Sequence, residues 1–206
     1  MRLAQNRQRG FTLVEMSIVL VIIGLLLGGV LSAQSLIKRA QTQDLIQTTQ
    51  DLQAATASFK SRYNFLPGDL PAPANSIPGV AAACGAGTGT GAIDTAAKRT
   101  CAINELVLSG LIRGHLVTGT PNYAVISNGT TFTLSDAAGA GFVLPANWVN
   151  VVVIATLNCD TAVQIDRAVD DGVTGTGNFR TSVACPAGGT AQAEGTAVPL
   201  AAFRIN

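Results

Sequence analysis

The feature that most constrains the fold is an apolar run without charges near the N-terminus. From Met16 to Ile37 the chain has 22 consecutive uncharged residues. As an α-helix this run measures about 33 Å, which is enough to cross the hydrocarbon core of a bilayer. Arginines precede the run and Lys38-Arg39 follows it, so the positive-inside tendency places the N-terminal end in the cytoplasm. The sequence therefore predicts one membrane-spanning helix with the rest of the chain on the far side.

A secretory signal peptide also begins with basic residues and an apolar run, so this alternative has to be weighed. A cleavage site with small residues would have to follow the run, but Leu31-Ser32-Ala33 puts leucine where a small residue is needed. Glu15 also stands at the head of the run, where an ionised carboxylate costs up to about 3 kcal/mol unless it is paired. A signal peptide has no use for such a group, whereas a polymerising helix does.

Residues 9–15, Arg-Gly-Phe-Thr-Leu-Val-Glu, resemble the processing motif of type IV prepilins. By this resemblance a membrane peptidase removes the leader, residues 1–10, by cutting between Gly10 and Phe11, and the new amine of Phe11 is N-methylated. Glu15 then becomes the fifth residue of the mature chain, the position of the family's functional glutamate. Its carboxylate can neutralise the Phe11 amine of a neighbouring subunit, and this attraction is far stronger in a low dielectric than at a surface.

The helix is expected to continue beyond the membrane-spanning and polymerising segment, residues 11–37. An amphipathic half follows at 38–66, and we expect one helix from about Thr12 to Tyr63 because no proline interrupts this part of the chain. The apolar positions recur every seven residues at Leu45, Leu52 and Phe59, with Ala55 and Tyr63 alongside, whereas Lys60 and Arg62 can face water. A globular pilin head is expected at 67–206. The resemblance implies an α+β fold, the pilin ladle, with the helix packed on an antiparallel sheet with disulfide-bonded loops.

The start of the head is predicted to be irregular. Residues 64–100 are rich in proline, glycine and alanine and are typical of a long connecting loop, with Pro67-Gly68 ending the helix. Asp69 completes a Leu-Pro-Gly-Asp segment that is similar to one in many prepilin-type proteins, and it is interpreted as a turn residue. A short helix is predicted at Ala102–Leu108, and the candidates for burial around it are Leu106, Leu108, Leu111 and Ile112.

The clearest sheet signal is a hairpin. Strands predicted at Tyr123–Ser127 and Thr130–Leu134 flank Asn128-Gly129, which favours a type I′ turn. Asn128-Gly129-Thr130 also fits a glycosylation acceptor, but the turn explains the same residues. A strongly apolar strand is predicted at Trp148–Leu157.

A last helix is predicted at Asp160–Val169, with Asp160 as its N-cap. Asp166, Asp170 and Asp171 stand close together at its end, and carboxylates in this arrangement suit a hard cation such as calcium. The spacing is not that of an EF-hand loop, and helix ends collect aspartate and glycine for structural reasons. These three residues are therefore only candidates, and neither a metal site nor a cofactor is predicted.

Four cysteines form an even set without a Cys-x-x-Cys spacing, and a chain with one histidine offers poor support for a zinc site. If the head is exported, the cysteines meet an oxidising compartment, and three pairings are possible. We favour Cys84–Cys101 with Cys159–Cys185, because these bridges close short loops of a kind that disulfides stabilise by about 2–4 kcal/mol. Four buried free thiols are the alternative.

The composition argues against nucleic-acid binding and against catalysis. The formal net charge is +1, and after removal of the leader ten basic residues face twelve acidic ones. A catalytic triad would have to use His115, the only histidine, and no apolar strand leads into the glycine-rich run at 85–91. No enzyme is predicted. A membrane-anchored periplasmic enzyme or binding protein is the alternative from another class.

The resemblance implies a structural filament subunit that waits in the inner membrane with its head outside the cytoplasm and then joins a cell-surface pilus. Its implied partners are other pilin subunits, the prepilin peptidase, the inner-membrane assembly platform and membrane lipid. A mature length of 196 residues favours a minor or accessory pilin, since many major pilins are shorter. Ser32 stands where major pilins of the commonest subclass have proline. A pseudopilin of a type II secretion system is the alternative assembly.

Overall fold

The computed structural model describes residues 12–80, 84, 87–112, 116–118, 124–185 and 195–205. The chain divides into two units, residues 1–41 and residues 42–206, and we call the latter the head unit. The elements in order are α1 (Leu13–Tyr63), a 3-10 turn (Pro73–Asn75), α2 (Ala96–Leu108), β1 (Leu116–Thr118), β2 (Ala124–Ser127), β3 (Thr130–Asp136), a 3-10 turn (Ala138–Ala140), β4 (Asn150–Asn158), α3 (Cys159–Val169), β5 (Phe179–Thr181) and β6 (Ala197–Ile205). The predicted α+β class, a long helix with an antiparallel sheet, is confirmed.

The unit boundary falls inside α1, so we call residues 13–41 its first half and residues 42–63 its second half. In the second half Leu45, Leu52 and Phe59 are buried in the core of the head unit, as the seven-residue spacing predicts. Buried threonine hydroxyls there donate to carbonyls four residues earlier, which satisfies these polar groups inside the core. This half of the helix is therefore held by one-sided apolar burial.

α1 ends at Tyr63, as predicted, but Pro67-Gly68 is not what stops it. Asn64 adopts a left-handed conformation with φ 61, which is a common way for a helix to end. Its amide still donates to the carbonyl of Lys60 at 2.9 Å. The proline and glycine come three to four residues later and shape the next turn instead.

The six strands form one antiparallel sheet in the order β1-β2-β3-β4-β6-β5. β4 is covered on both faces: Val152 and Ile154 join the main core, while Val151 and Val153 join a second cluster with Trp148. A strand that is buried on both faces has a continuous apolar sequence instead of an alternating one. This explains the strong apolar run at 151–154.

The predicted hairpin is confirmed. Asn128 and Gly129 both have positive φ values, 49° and 80°, as a type I′ turn requires. Ser127 and Asn128 donate to the carboxylate of Asp44 in the second half of α1, and the Asn128 bond is 2.9 Å long. The hairpin is thereby tied to the helix within the head unit. Tyr123, which was predicted to begin the first strand, lies outside the described residues.

Three local predictions are corrected. α2 begins at Ala96 and not at Ala102, because the Thr95 side chain accepts a hydrogen bond from the Lys98 amide and caps an earlier first turn. Leu108, which was expected to be buried, is 39% exposed. The N-cap of α3 is Asn158 and not Asp160, since the Asn158 side chain accepts from the Thr161 amide at 2.8 Å.

Disulfides join Cys84 to Cys101 and Cys159 to Cys185, which is the pairing that the loop lengths favoured. The first bridge joins the loop that follows α1 to the helix α2. The second connects the start of α3 to the segment that follows β5. Each bridge connects a helix to an irregular segment of the head unit and so restricts the conformations of that segment.

Candidate assembly segment and acidic cluster

The first half of α1 presents apolar side chains to its surroundings on all sides. Every residue from Thr12 to Gln41 whose side chain is described is exposed, including Leu13 at 86% and Leu25 at 73%. An 18-residue window in α1 has a mean hydropathy of 2.6 and is not buried at all. The helix is thus long and apolar enough to cross a membrane, and none of the described residues of its own unit covers it.

Glu15 and Thr12 form a reciprocal cap at the start of α1. The Glu15 Oε2 atom accepts hydrogen bonds from the Thr12 amide and the Thr12 hydroxyl, both at 2.8 Å, and the Glu15 amide donates to the Thr12 hydroxyl oxygen. This is a capping box, with the Thr-x-x-Glu spacing. The Oε1 atom has no hydrogen bond among the described residues. One oxygen therefore caps this helix and the other is left for another partner.

Gly24 and Gly28 in the first half of α1 have no described neighbour whose close approach would require a glycine. A Cβ added at Gly24 or at Gly28 would meet no atom within 4 Å. Glycine lowers helix stability by about 1 kcal/mol relative to alanine, so two of them four residues apart are costly without a benefit elsewhere. Close approach of a second helix is a benefit that this spacing provides.

Asp69 is more than a turn residue, because it organises the loop that follows α1. Its side chain is fully buried and pairs with the buried Lys98 ammonium at 2.8 Å. Its carboxylate also accepts hydrogen bonds from the amides of Gly89 and Gly91, at 3.1 and 2.6 Å. Burial alone would raise the pKa of Asp69, but the hydrogen bond from Lys98 and those from the loop amides outweigh it and lower the pKa.

Glu105 is a second buried carboxyl close to Asp69. It accepts a hydrogen bond from the Gly68 amide at 2.8 Å, and its other oxygen has no partner among the described residues. Gly68 has a φ of 83°, and a Cβ there would overlap the carbonyl oxygen of Lys98 in α2. Burial, with the charge of Asp69 adding to it and the Gly68 amide opposing it, raises the pKa of Glu105 to about 7. These contacts explain the Leu-Pro-Gly-Asp segment structurally, without a ligand.

The three acidic candidates at the end of α3 do come together. One oxygen from each of Asp166, Asp170 and Asp171 can be chosen such that all lie within 4.8 Å of one another. Asp170 accepts from the amides of Asn178 and Phe179, and Asp171 accepts from the Val173 amide and the Thr176 hydroxyl. These bonds fold residues 171–179 around the half-buried Asp170 and the exposed Asp171.

Asp166 differs from its two neighbours because it is fully buried. Neither of its carboxylate oxygens has a hydrogen-bond partner among the described residues. Burial first, and then the charges of Asp171 and Asp170, raise the pKa of Asp166 to about 6. The nearby Gly172 amide and Arg180 counter this only in part. The sequence drew attention to these residues, but it could not show that Asp166 is the buried and unpaired member.

The remaining site residues of the sequence analysis cannot be placed. Gly10 and Phe11, at the predicted cleavage site, lie outside the described residues, and so does His115.

The cap that Thr12 makes with Glu15, and the buried groups Lys98 and Glu105, were not foreseen. A Thr-x-x-Glu spacing before the apolar run was the signal for the cap. No such signal marks Lys98, because its burial depends on the tertiary contact with Asp69.

Comparison with known families agrees with the N-terminal geometry. Residues 5–31 match the family model described as the prokaryotic N-terminal methylation motif. The match covers Glu15, the glycines at 24 and 28, and most of the exposed apolar run. No curated protein and no solved structure matches the chain.

Proposed function

We propose that this chain, a prepilin-type (type IV pilin-like) protein, is a minor or accessory structural subunit of a type IV pilus filament. The observation that supports the proposal is the methylation motif at 5–31, which leads into a helix whose apolar side chains are exposed on all sides. Such a helix needs lipid around it before assembly and other subunits around it afterwards. The family is structural, and the role proposed here is assembly and not catalysis.

The proposed processing follows from the motif. The prepilin peptidase cuts between Gly10 and Phe11 on the cytoplasmic side, and the amine of Phe11 is methylated. The helix stays attached to the chain because the cut precedes the apolar run. The subunit waits in the inner membrane as a single-pass protein, and the assembly platform then moves it into the filament with its head outside the cytoplasm.

Glu15 is proposed to set the register between subunits. Its Oε2 atom caps its own helix through Thr12, and Oε1 is available to the Phe11 amine of a neighbouring subunit. In an apolar filament core this ion pair is worth much more than on a surface, because no water screens it. The Gly24 and Gly28 positions, which are open in this chain, would allow neighbouring helices to approach closely.

The test replaces Glu15 by alanine in the native host. We expect normal cleavage and methylation of the Glu15→Ala protein, but strongly reduced recovery in filaments sheared from the cell surface. Asp51→Ala, in the second half of the same helix, removes an equal charge and should be incorporated normally. Equal incorporation of both variants would contradict the role of Glu15.

A pseudopilus of a type II secretion system is the second candidate, because the same motif and the same glutamate serve that assembly. Deletion of the gene distinguishes the two. Loss of surface filaments with intact protein secretion supports the pilus, whereas loss of secretion with unchanged filaments supports the pseudopilus. The abundance of the chain in sheared filaments separates a minor subunit from a major one.

A further inference from the structure

We propose that Asp166, Asp170 and Asp171 bind a hard divalent cation, Ca²⁺, at the C-terminal end of α3. The proposal concerns the head unit alone and does not depend on the filament role. Its starting point is the convergence of three carboxylates, one oxygen from each lying within 4.8 Å of the others. Three like charges at this distance repel one another unless a cation lies among them.

The buried member of the cluster carries the argument. Asp166 is fully buried, yet both of its carboxylate oxygens lack hydrogen-bond partners among the described residues. A buried carboxylate without partners is costly, and almost all such groups in folded proteins are paired or bind a metal. The nearby Gly172 amide favours the charged form of Asp166, but among the described residues it does not satisfy either oxygen, and the carboxylates of Asp170 and Asp171 add further negative charge.

Arg180 is a basic residue whose charge acts on Asp166, but among the described residues it does not pair with that carboxylate. Its charge lowers the pKa of Asp166 and of Asp171, yet it forms no salt bridge with either among the described residues. Its guanidinium lies 5.9 Å from the ring centre of Trp148, and its Nη1 atom has no hydrogen-bond partner there either. The positive charge of Arg180 does not neutralise three carboxylates, so the cluster can still accommodate a divalent ion.

The other two carboxylates are already held in place by the loop. Asp171 is fixed by the Val173 amide at 2.9 Å and by the Thr176 hydroxyl at 2.6 Å. Asp170 is fixed through Oδ2 by the amides of Asn178 and Phe179, which leaves Oδ1 without such a bond. Gly177, with φ 63°, permits this approach, because a Cβ there would overlap the Asp170 carboxylate. Fixed ligands lower the ordering cost of binding an ion.

The donor set selects Ca²⁺ over other common ions. All candidate ligands are carboxylate oxygens, and the nearby cysteines at 159 and 185 are joined in a disulfide, so a zinc site lacks its usual ligands. Ca²⁺ accepts about 6–8 oxygens in irregular geometry, including main-chain carbonyls and water. Mg²⁺ requires a smaller and nearly ideal octahedron, which an irregular loop provides less easily.

Binding would tie the end of α3 to the loop at 171–178, which lies within the segment closed by the Cys159–Cys185 bridge. Several residues of this loop are exposed, so the ion would order a surface that is available to a partner. We expect a dissociation constant of about 10⁻⁴–10⁻³ M, the range of calcium sites in extracellular modules.

The test uses the full-length protein in a non-ionic detergent, with CaCl₂ titrated by calorimetry and thermal unfolding followed by the fluorescence of Trp148. We expect saturable binding of one Ca²⁺ and a rise in Tm of about 4–8 °C at saturation. Asp166→Asn should abolish both effects, while its Tm without calcium should rise because the unpaired buried charge is gone. Asp160→Asn, an exposed aspartate in the first turn of α3, is the matched control and should bind like the unmodified chain.

Four results would overturn the proposal. No heat of binding and no change in Tm at 10 mM CaCl₂ would exclude the site. An equal response of Asp166→Asn and the unmodified chain would place the ion elsewhere. Binding of Mg²⁺ as tight as that of Ca²⁺ would refute the choice of ion. A loss of stability in Asp166→Asn without calcium would instead show that Arg180 pairs with Asp166 in solution, and it would also contradict the proposal.

Discussion

The two halves of α1 share one helical backbone but differ in what surrounds their side chains. In the first half Leu25 is 73% exposed, and in the second half Phe59 is not exposed at all. The first half is mostly apolar and its described side chains are exposed on all sides, whereas the second half buries one stripe and turns Lys60 and Arg62 to solvent. The two halves thus use apolar residues differently, since one half packs into the core of the head unit and the other leaves its apolar side chains exposed.

The carboxyl groups of the two regions differ in the same way. Glu15 is exposed and caps its own helix, whereas Glu105 is fully buried in the head unit, and one of its oxygens has no partner in the described part of the chain. Changes in the head should therefore alter its stability, and changes in the first half of α1 should alter assembly only. Each of the following predictions compares one residue from each region.

The largest effect is expected from truncation of the buried aromatic ring. Phe59→Ala should lower the free energy of unfolding of the head by about 3–5 kcal/mol, because it leaves a cavity in the main core. Leu25→Ala removes an exposed side chain and should leave this free energy unchanged. Urea unfolding in detergent, followed by Trp148 fluorescence, measures both. A similar loss in both variants would mean that the first half also stabilises the head.

The second comparison concerns pH. The pKa of Glu105 rises from 4.5 to about 7 on folding, mainly through burial, so the folded state holds its proton more tightly than the unfolded state. The stability of the head should therefore be highest below pH 4.5 as far as this group is concerned, and it should fall as the pH rises to about 7. Over this pH range the ionisation of Glu105 should lower the free energy of unfolding of the head by about 3 kcal/mol.

Glu105→Gln should remove the Glu105 share of this pH dependence, leave the share of Asp166, whose pKa is raised to about 6, and stabilise the head above pH 7, because the amide oxygen can still accept from Gly68 while the Glu105 charge is gone. Glu15→Gln is the counterpart from the first region and should leave the pH profile of the head unchanged. Urea unfolding at a series of pH values between 4 and 8 provides the measurement. A flat profile for the unmodified chain would refute the buried carboxyl as its cause.

The smallest effect is expected from the helix caps. Asn158→Ala removes the bond to the Thr161 amide and should destabilise the head by about 1 kcal/mol. Thr12→Ala removes a cap of similar chemistry at the start of α1 and should not change the stability of the head. The same unfolding experiment applies. A loss of equal size in Thr12→Ala would contradict the separation of the two regions.

Short sequence patterns predicted the parts of the fold whose conformation depends on residues a few positions apart. The seven-residue spacing of Leu45, Leu52 and Phe59 and the Asn128-Gly129 turn have the expected roles, because periodicity and turn residues act over a few positions. β5 and β6 were not predicted, because β5 has only three residues and β6 contains a proline and three alanines, which are weak strand signals. The early start of α2 was missed because Ala96–Thr100 has no apolar periodicity.

The residues of the two candidate sites could be named from the sequence to a similar extent. Glu15 and the three aspartates could be named from sequence, because a carboxylate before an apolar run and carboxylates at a helix end are visible patterns. Burial was not visible, so the sequence did not show that Asp166 lacks partners or that Asp69 pairs with Lys98. These are tertiary properties, and side-chain identity alone does not determine them.

The most direct test is the intact mass and N-terminal sequence of the protein sheared from the surface of its native host. A chain that begins with methylated Phe11 and is recovered in filaments is the predicted result. A soluble chain that begins near residue 33 or 34 would mean that the apolar run is a cleaved signal peptide, and it would contradict the assembly of this protein through α1.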